Sequence, residues 1–325
     1  MDTLNRDLRD KLIRVNEEIK AKYNGIASNK EELRDFIKEN IGDIYLSKKM
    51  KINELKEIEM LGGVTGVDGS TNRIGGSSPH YIEIYQGLAK NTKNKNDPLF
   101  LSEIYTPLIP EKSLIQREEE KEVDEKNIKL ATIEIEVAIE SIKRYKPYAI
   151  IMDGGLIRYN IYAGKKWLEL VDICEEKDII LVGVIKDIKT SMIGEALKKS
   201  YNDISGELYD RELLFGLLEY GEVIEIDEDV NKKEPQGYAS AFIRSSLQPM
   251  AIGIDIIESQ KKYLKEMVRL VLTLTPENSR GVPLWLDIVD KEVKISDDMI
   301  KALMERYLDR AIYEKFFVSE RDKRS

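Results

Sequence analysis

The sequence predicts an α/β protein with a mixed β-sheet at its centre. Apolar segments of strand length recur along the chain, amphipathic helical segments separate several of them, and two of the strand segments end in Asp-Gly. Strands that alternate with helices are typical of parallel pairing. The first three strand segments, joined by short polar linkers, instead favour an antiparallel meander. We therefore expect both kinds of pairing in one sheet.

The order of the elements refines this fold class. Three strand segments come first, followed by a long charged helix, a strand, a second helix and another buried strand. Their predicted ranges are 64–70, 81–89, 99–109, 116–145, 148–153, 156–176 and 179–185. This is the order of a ribonuclease H-like core, in which the first and fourth strands are neighbours. Further along, the pattern predicts helix 208–219, strands 222–227, 238–246 and 250–257, helix 258–272 and a final helix over about 296–317.

Helical segments flank the core at both ends of the chain. Residues 3–24 carry apolar side chains at three- and four-residue spacing, which predicts an amphipathic helix. Ser28 and Glu31 match a capping box for a second helix that ends near Asn40. The predicted division is a helical arm at 1–58, a ribonuclease H-like domain at 59–292 and a C-terminal helix at 293–325.

Composition limits the classes of function. The chain has 325 residues, of which 34% are charged, and no apolar run reaches the roughly 18 residues that span a bilayer. A single cysteine, Cys174, excludes an internal disulfide, and a single histidine, His80, excludes a zinc site with several histidines. We expect a cytoplasmic protein without a membrane partner. The net charge of −9 requires a local basic surface, or a second protein, for any contact with DNA.

The segment Val64–Thr71 contains an aspartate where a buried strand is expected. Asp68 lies inside a run of apolar and small residues and is followed by Gly-Ser-Thr. A buried carboxylate without a partner is strongly disfavoured, so it requires a hydrogen-bonded turn or a cation. Taken alone, this segment leaves both alternatives open, an Asx-type turn or a cation site.

A second segment repeats the pattern. Residues 148–156 form an apolar run that ends in Asp153 and two glycines. In the predicted topology the strand of Asp153 lies next to the strand of Asp68. Two neighbouring strands that each present an Asp-Gly indicate one shared site.

Helix geometry selects a third carboxylate. At about 100° per residue, Glu134 falls in the apolar arc of helix 116–145, whereas Glu136 and Glu140 fall on the opposite face. An inward glutamate beside two strand aspartates is a donor set that suits Mg²⁺ or Mn²⁺. The alternative is a buried glutamate that is neutralised by protonation or by a lysine such as Lys186.

These segments together resemble a known family. Gly66–Ser70, the inward glutamate, Ile151–Leu156 and Val182–Lys186 are similar, in order and spacing, to the motifs of the NurA nucleases. The resemblance extends over about residues 60 to 290. NurA proteins are manganese-dependent DNA nucleases with a ribonuclease H-like core, and they process DNA ends together with the hexameric HerA translocase.

The resemblance implies roles for individual residues and partners. Asp68, Glu134 and Asp153 would hold Mn²⁺ or Mg²⁺, and Lys186 would face a substrate phosphate. It also implies a ring-like homodimer that threads DNA supplied by a HerA-type ATPase, with Lys186, Lys189 and Arg73 concentrating positive charge in the channel. The expected activity is a single-strand endonuclease, a 5′–3′ exonuclease or both.

The sequence departs from the family pattern at two positions. Gly155 stands where the family often has serine. Many members also place a histidine in the C-terminal part, whereas Gly281–Asp287 contains none. Either Asp287 takes that role or the position is lost.

Two other functions compete with the nuclease. The first is a catalytically silent adaptor that keeps the ribonuclease H-like scaffold and binds a partner protein; three inward acids argue against it, because an adaptor has no need to bury them. The second is a phosphotransferase on a related core, for which the sequence lacks a convincing glycine-rich phosphate loop.

Overall fold

The structure is a computed structural model of the chain. It describes residues 6–22, 29–109, 119–201, 207–231, 233 and 236–318. Ser28, the predicted capping residue, lies outside these ranges. Within them, Asn29 caps the second helix, and its side chain accepts hydrogen bonds from the backbone N–H groups of Glu31 and Glu32.

The centre of the described fold is one nine-stranded sheet. Its strands are β1 (Ile44–Leu46), β2 (Val64–Gly75), β3 (Tyr81–Asn91), β4 (Leu99–Tyr105), β5 (Ala149–Asp153), β6 (Ile180–Ile185), β7 (Glu222–Glu225), β8 (Tyr238–Ile243) and β9 (Ile252–Ile257). They lie in the order β1-β7-β8-β9-β6-β5-β2-β3-β4. Strands β2, β3 and β4 form an antiparallel meander, while β2, β5 and β6 are parallel to one another. The predicted ribonuclease H-like core is confirmed, including the contact between its first and fourth strands.

Eleven α-helices occur in the described residues. They are α1 (Arg6–Lys22), α2 (Lys30–Asn40), α3 (Ile52–Met60), α4 (Glu119–Tyr145), α5 (Ile157–Glu176), α6 (Met192–Ser200), α7 (Asp210–Leu213), α8 (Leu264–Leu274), α9 (Leu284–Val293), α10 (Asp297–Tyr307) and α11 (Arg310–Phe316). None of these helices combines the length and hydrophobicity that a bilayer-spanning helix needs.

Helices cover both faces of the sheet, and the strand residues alternate between two apolar clusters. On β5, Ile150 and Met152 pack with α4 and α5, whereas Ala149 and Ile151 pack with α8 and α9. A strand buried on both faces has an almost continuous apolar sequence, which is why β5 and β6 were recognisable without alternation. Asp153, at the end of β5, therefore belongs to the α9 face.

Several predicted elements differ in the structure. The predicted helix 208–219 shortens to α7, and Gly216 follows it with a φ of 71°, which a helix cannot continue through. The predicted final helix is two helices, because Leu308 is extended and Asp309 caps α11. The segment 258–272 begins as a 3-10 turn before α8. Four short elements, β1, α3, α6 and α9, were not predicted.

The N-terminal elements differ in how they meet the rest of the chain. In α2, Leu33, Phe36 and Ile37 are buried in a cluster with α6 and α7, and β1 pairs with β7 at the edge of the sheet. In α1, by contrast, the apolar stripe is about half exposed, as shown by Leu12 at 56% and Ile19 at 54%. The division at residue 58 remains a prediction.

Candidate metal centre

Strands β2 and β5 place two aspartates side by side. In their parallel pairing, Val67 lies opposite Met152, so the next position on each strand is an aspartate, Asp68 or Asp153. Asp68 is 7% exposed, and one of its carboxylate oxygens accepts a hydrogen bond from the backbone N–H of Gly69 at 2.8 Å. The Asx-type turn that would end the strand at Asp68 is not formed, because β2 continues to Gly75 and this bond reaches only the adjacent residue. It engages one of the two oxygens of Asp68.

The face on which Asp68 lies is set by the alternation of β2. A Cβ atom built on Gly66 would lie 3.2 Å from both Trp285 and Val289, which belong to α9. Val67 packs instead in the cluster that contains α4. Because side chains two residues apart share a face, Asp68 faces α9, as Asp153 does.

Helix α9 supplies a third carboxylate that the sequence did not reveal. Asp68, Asp153 and Asp290 each offer one oxygen atom, and these three oxygens lie within 4.8 Å of one another. Asp287, the residue considered for the family's histidine position, is one turn earlier and is bonded by Arg280 at 2.5 Å. The structure therefore brings Asp290, and not Asp287, to the two strand aspartates.

Basic side chains partly neutralise this acidic cluster. Lys186 follows β6, donates to Asp153 and lies 4.0 Å from Asp290. Lys294 pairs with Asp290 at 2.8 Å. Lys186 therefore lies between two of the three aspartates.

Glu134 is inward, as the helix phase predicted, but it approaches from the opposite face of the sheet. Its side chain is 1% exposed, whereas that of Glu136 is 43% exposed. One carboxylate oxygen, Oε2, accepts hydrogen bonds from Arg158 and from the Tyr159 hydroxyl, the latter at 2.6 Å. The other, Oε1, is directed at Gly69, where an added Cβ would lie 2.6 Å away. Glu134 is thus next to Asp68 along β2, but it is outside the group of three close carboxylates.

Burial and mutual repulsion raise the proton affinity of these acids. Burial, with the negative charges of Asp153 and Glu134, raises the pKa of Asp68 to about 8. Burial also raises the pKa of Glu134 and of Asp153, although Arg158 and Lys186 respectively oppose this. For Asp290 burial is outweighed by Lys294, Lys186 and a hydrogen bond with Asp68, so its pKa is lowered.

The donor set fits a hard divalent cation. Three aspartate oxygens converge at this point, and their negative charges repel one another. Oxygen ligands of this kind suit Mg²⁺ and Mn²⁺, which keep part of their hydration shell. Gly69 lets Glu134 approach β2 from the α4 face, because a Cβ at that position would collide with the glutamate. The residues that could hold the cation are Asp68, Asp153 and Asp290, with Glu134 beside them.

The other predicted DNA contacts lie away from this cluster. Arg73 is exposed five residues further along β2, which is about 17 Å at the rise of a strand, and its guanidinium stacks on Tyr81 at 3.3 Å. Lys189 is exposed three residues after Lys186. Their contact with DNA remains a prediction.

Comparison with known proteins agrees with the fold and the motifs. The sequence model of the family described as NurA domain matches residues 62–295 of this chain. The chain belongs to the NurA family. Its membership confirms the resemblance that the Asp-Gly motifs indicated. Among curated proteins, none matches the sequence of this chain.

Two solved NurA structures are similar in fold over nearly the whole chain. A crystal structure of NurA has a TM-score of 0.54 and 11% sequence identity, covering 94% of this chain and 99% of its own. A crystal structure of NurA bound to dAMP and manganese has a TM-score of 0.52 and 13% identity, covering 94% of this chain and 98% of its own. At such low identity the likeness shows the fold alone.

Proposed function

We propose that this chain is a divalent-metal-dependent DNA nuclease that hydrolyses phosphodiester bonds. The observation that carries the proposal is the convergence of Asp68, Asp153 and Asp290 within 4.8 Å at the end of β5. A divalent cation would relieve the repulsion among three carboxylates, and membership of the NurA family supports this choice of chemistry. Manganese, which is bound in one structure of similar fold, is the first ion to test, with magnesium second.

Each residue of the site has a role in this proposal. Asp68, Asp153 and Asp290 hold the cation, and Glu134 contributes its Oε1 from the opposite face. When bound, the ion lowers the pKa of a water molecule and neutralises charge on the phosphate. Lys186, which donates a hydrogen bond to Asp153, would contact the substrate phosphate.

Substrate delivery is the second part of the proposal. A chain with net charge −9 attracts free DNA poorly, because nonspecific affinity comes mainly from cations that neutralise phosphates. We infer that a HerA-type hexameric translocase supplies DNA to a homodimer during the processing of DNA ends. Within the site, Lys186 provides local positive charge, and Lys189 and Arg73 extend it along the predicted path.

The half-exposed stripe of α1 is the surface proposed for subunit or translocase contacts. Leu8, Leu12 and Ile19 are between 51% and 56% exposed, which is unusual for the apolar face of a helix. Family membership supports a partner on this surface, since NurA proteins are expected to form homodimers that engage a translocase.

Cleavage assays on the purified protein test the activity. Single-stranded DNA incubated with Mn²⁺ is cut by the wild type, and a chelator abolishes the cut. The Asp68→Asn variant retains the size of the side chain but loses the charge that holds the cation, so its rate falls by at least about a hundredfold. Equal cleavage by wild type and Asp68→Asn contradicts the proposal. A folded protein that binds a partner but does not cut DNA under any of these conditions supports the adaptor instead.

A further inference from the structure

Arg158 lies at the metal centre but has no assigned role in the proposed reaction. It belongs to the first turn of α5, five residues after Asp153. Its Nη2 donates to Oε2 of Glu134 and, at 3.1 Å, to the Tyr159 hydroxyl, and its guanidinium lies over the Tyr159 ring at 4.6 Å. Within the described part of the chain, both hydrogen bonds of this side chain therefore come from one nitrogen, Nη2.

The guanidinium has donors to spare. Arginine has five N–H groups on three nitrogens, and the Nε of Arg158 is buried with no hydrogen-bond partner among the described residues. A buried donor without a partner is costly, so the protein leaves the hydrogen-bonding capacity of this guanidinium incompletely used. The side chain as a whole is 34% exposed, so one part of it is open to solvent.

The spare donors are next to the turn that carries Asp153. A Cβ atom built on Gly154 would lie 3.3 Å from the Nε of Arg158. Gly154 also has a φ of 128°, which only glycine adopts readily. The chain therefore passes close to the guanidinium at the residue that follows a proposed metal ligand.

The charges of the site leave a place for one anion. The four carboxylates of Asp68, Glu134, Asp153 and Asp290 face Arg158, Lys186 and Lys294. Arg280 also lies 3.9 Å from Asp290, but its charge is balanced by Asp287, with which it pairs. With all four acids ionised, the cluster carries one net negative charge, and a bound divalent cation changes this to one net positive charge. A single phosphodiester group would then balance the site.

We propose that Arg158 binds a phosphate of the DNA strand at the metal centre while its Nη2 keeps Glu134 in place. The inference rests on the proposed nuclease function and names a substrate-binding residue for it. Arginine suits this role because its planar group can bond a carboxylate on one edge and a phosphate on another. Lysine presents its three donors from a single nitrogen atom, so it cannot bond the two partners from separate edges as a guanidinium can.

Calorimetry separates phosphate binding from metal binding. The protein is titrated with Mn²⁺ alone, and then with dAMP at saturating Mn²⁺. We expect Arg158→Lys to bind Mn²⁺ within about threefold of the wild type, while its Kd for dAMP rises by about tenfold or more. Arg158→Gln, which also loses the charge, should weaken dAMP binding further.

Arg269→Lys is the matched control. Arg269 lies on α8, its side chain is also 34% exposed, and it is paired with Glu54 at 2.8 Å. Its replacement should change neither titration. Circular dichroism of each variant establishes whether it is folded. If Arg158→Gln does not fold, Arg158→Lys still tests the proposal, because it keeps a positive charge beside Glu134.

Two results would overturn the inference. In the first, Arg158→Lys changes the Mn²⁺ affinity but leaves the dAMP affinity at saturating Mn²⁺ unchanged. Arg158 would then only orient Glu134. The other is a wild type that binds Mn²⁺ but not dAMP. Failure of the nuclease function is a different result, because the wild type would then bind Mn²⁺ and dAMP without cutting DNA.

Discussion

Glu134 contacts β2 at Gly69, the residue after Asp68. A Cβ atom on Gly69 would lie 2.6 Å from Oε1 of Glu134 and 2.8 Å from Leu130. Helix α4 can therefore approach the strand closely only because position 69 has no side chain. This contact brings a carboxylate from the α4 face to the edge of a cluster that is formed on the α9 face.

Replacing Gly69 should disturb both the fold and the metal centre. In Gly69→Ala the new methyl group collides with a carboxylate that is 1% exposed and held by Tyr159, so neither partner can move freely. We expect a loss of about 1–3 kcal/mol in the free energy of unfolding, measured by urea denaturation, and weaker Mn²⁺ binding. Gly76→Ala is the control, because its nearest contact would be at 3.8 Å. Equal behaviour of the two variants would show that the close approach is not needed.

Two aspartates of α9 provide a direct comparison. Asp290→Asn removes a carboxylate from the cluster, so we expect the Mn²⁺ affinity to fall by about tenfold or more. Asp287→Asn removes a carboxylate that pairs with Arg280, four residues before α9, and that is not one of the three close carboxylates, so it should leave the affinity nearly unchanged. Isothermal titration with Mn²⁺ measures both. If only Asp287→Asn loses Mn²⁺ affinity, Asp287 and not Asp290 is the metal ligand from α9.

The metal-free protein should become less stable as the pH rises. Burial, together with Asp153 and Glu134, raises the pKa of Asp68 from 3.8 to about 8. Between these values the folded protein binds more protons than the unfolded chain, so the free energy of unfolding decreases with increasing pH. The melting temperature in the presence of chelator should therefore fall from about pH 5 to pH 8, and fall less in Asp68→Asn.

Metal affinity should have the opposite pH dependence. A cation competes with the proton on Asp68, whose pKa is raised to about 8, so the Mn²⁺ affinity of the wild type should increase up to about pH 8. Titrations at several pH values measure this slope. A Mn²⁺ affinity that does not change with pH would mean that Asp68 is already ionised in the metal-free protein.

Local sequence patterns were sufficient for the strand aspartates and for Glu134. Asp68 and Asp153 each follow an apolar run that is too continuous for a surface strand, and the phase of α4 depends only on spacing. Asp290 could not be found in this way. It lies on the ten-residue helix α9, which packs on β2 through Trp285 and Val289, and only this long-range contact brings it to the site.

Arg158 was missed for a related reason. An arginine in the first turn of a helix is usually a solvated surface residue, and nothing in the sequence distinguishes it from its neighbours. Its partner Glu134 is 24 residues earlier, on another helix, so the pair exists only after α4 and α5 have packed on the same face of the sheet. The single informative signal was the inward glutamate, which needed a partner of opposite charge.

Anomalous diffraction from crystals grown with Mn²⁺ tests the central claim most directly. The account predicts a peak at the manganese absorption edge between the carboxylates of Asp68, Asp153 and Asp290, at the end of β5. The same experiment on Asp68→Asn should show a much weaker peak or none. A strong peak bound by other residues, or an undiminished peak in the variant, would contradict it.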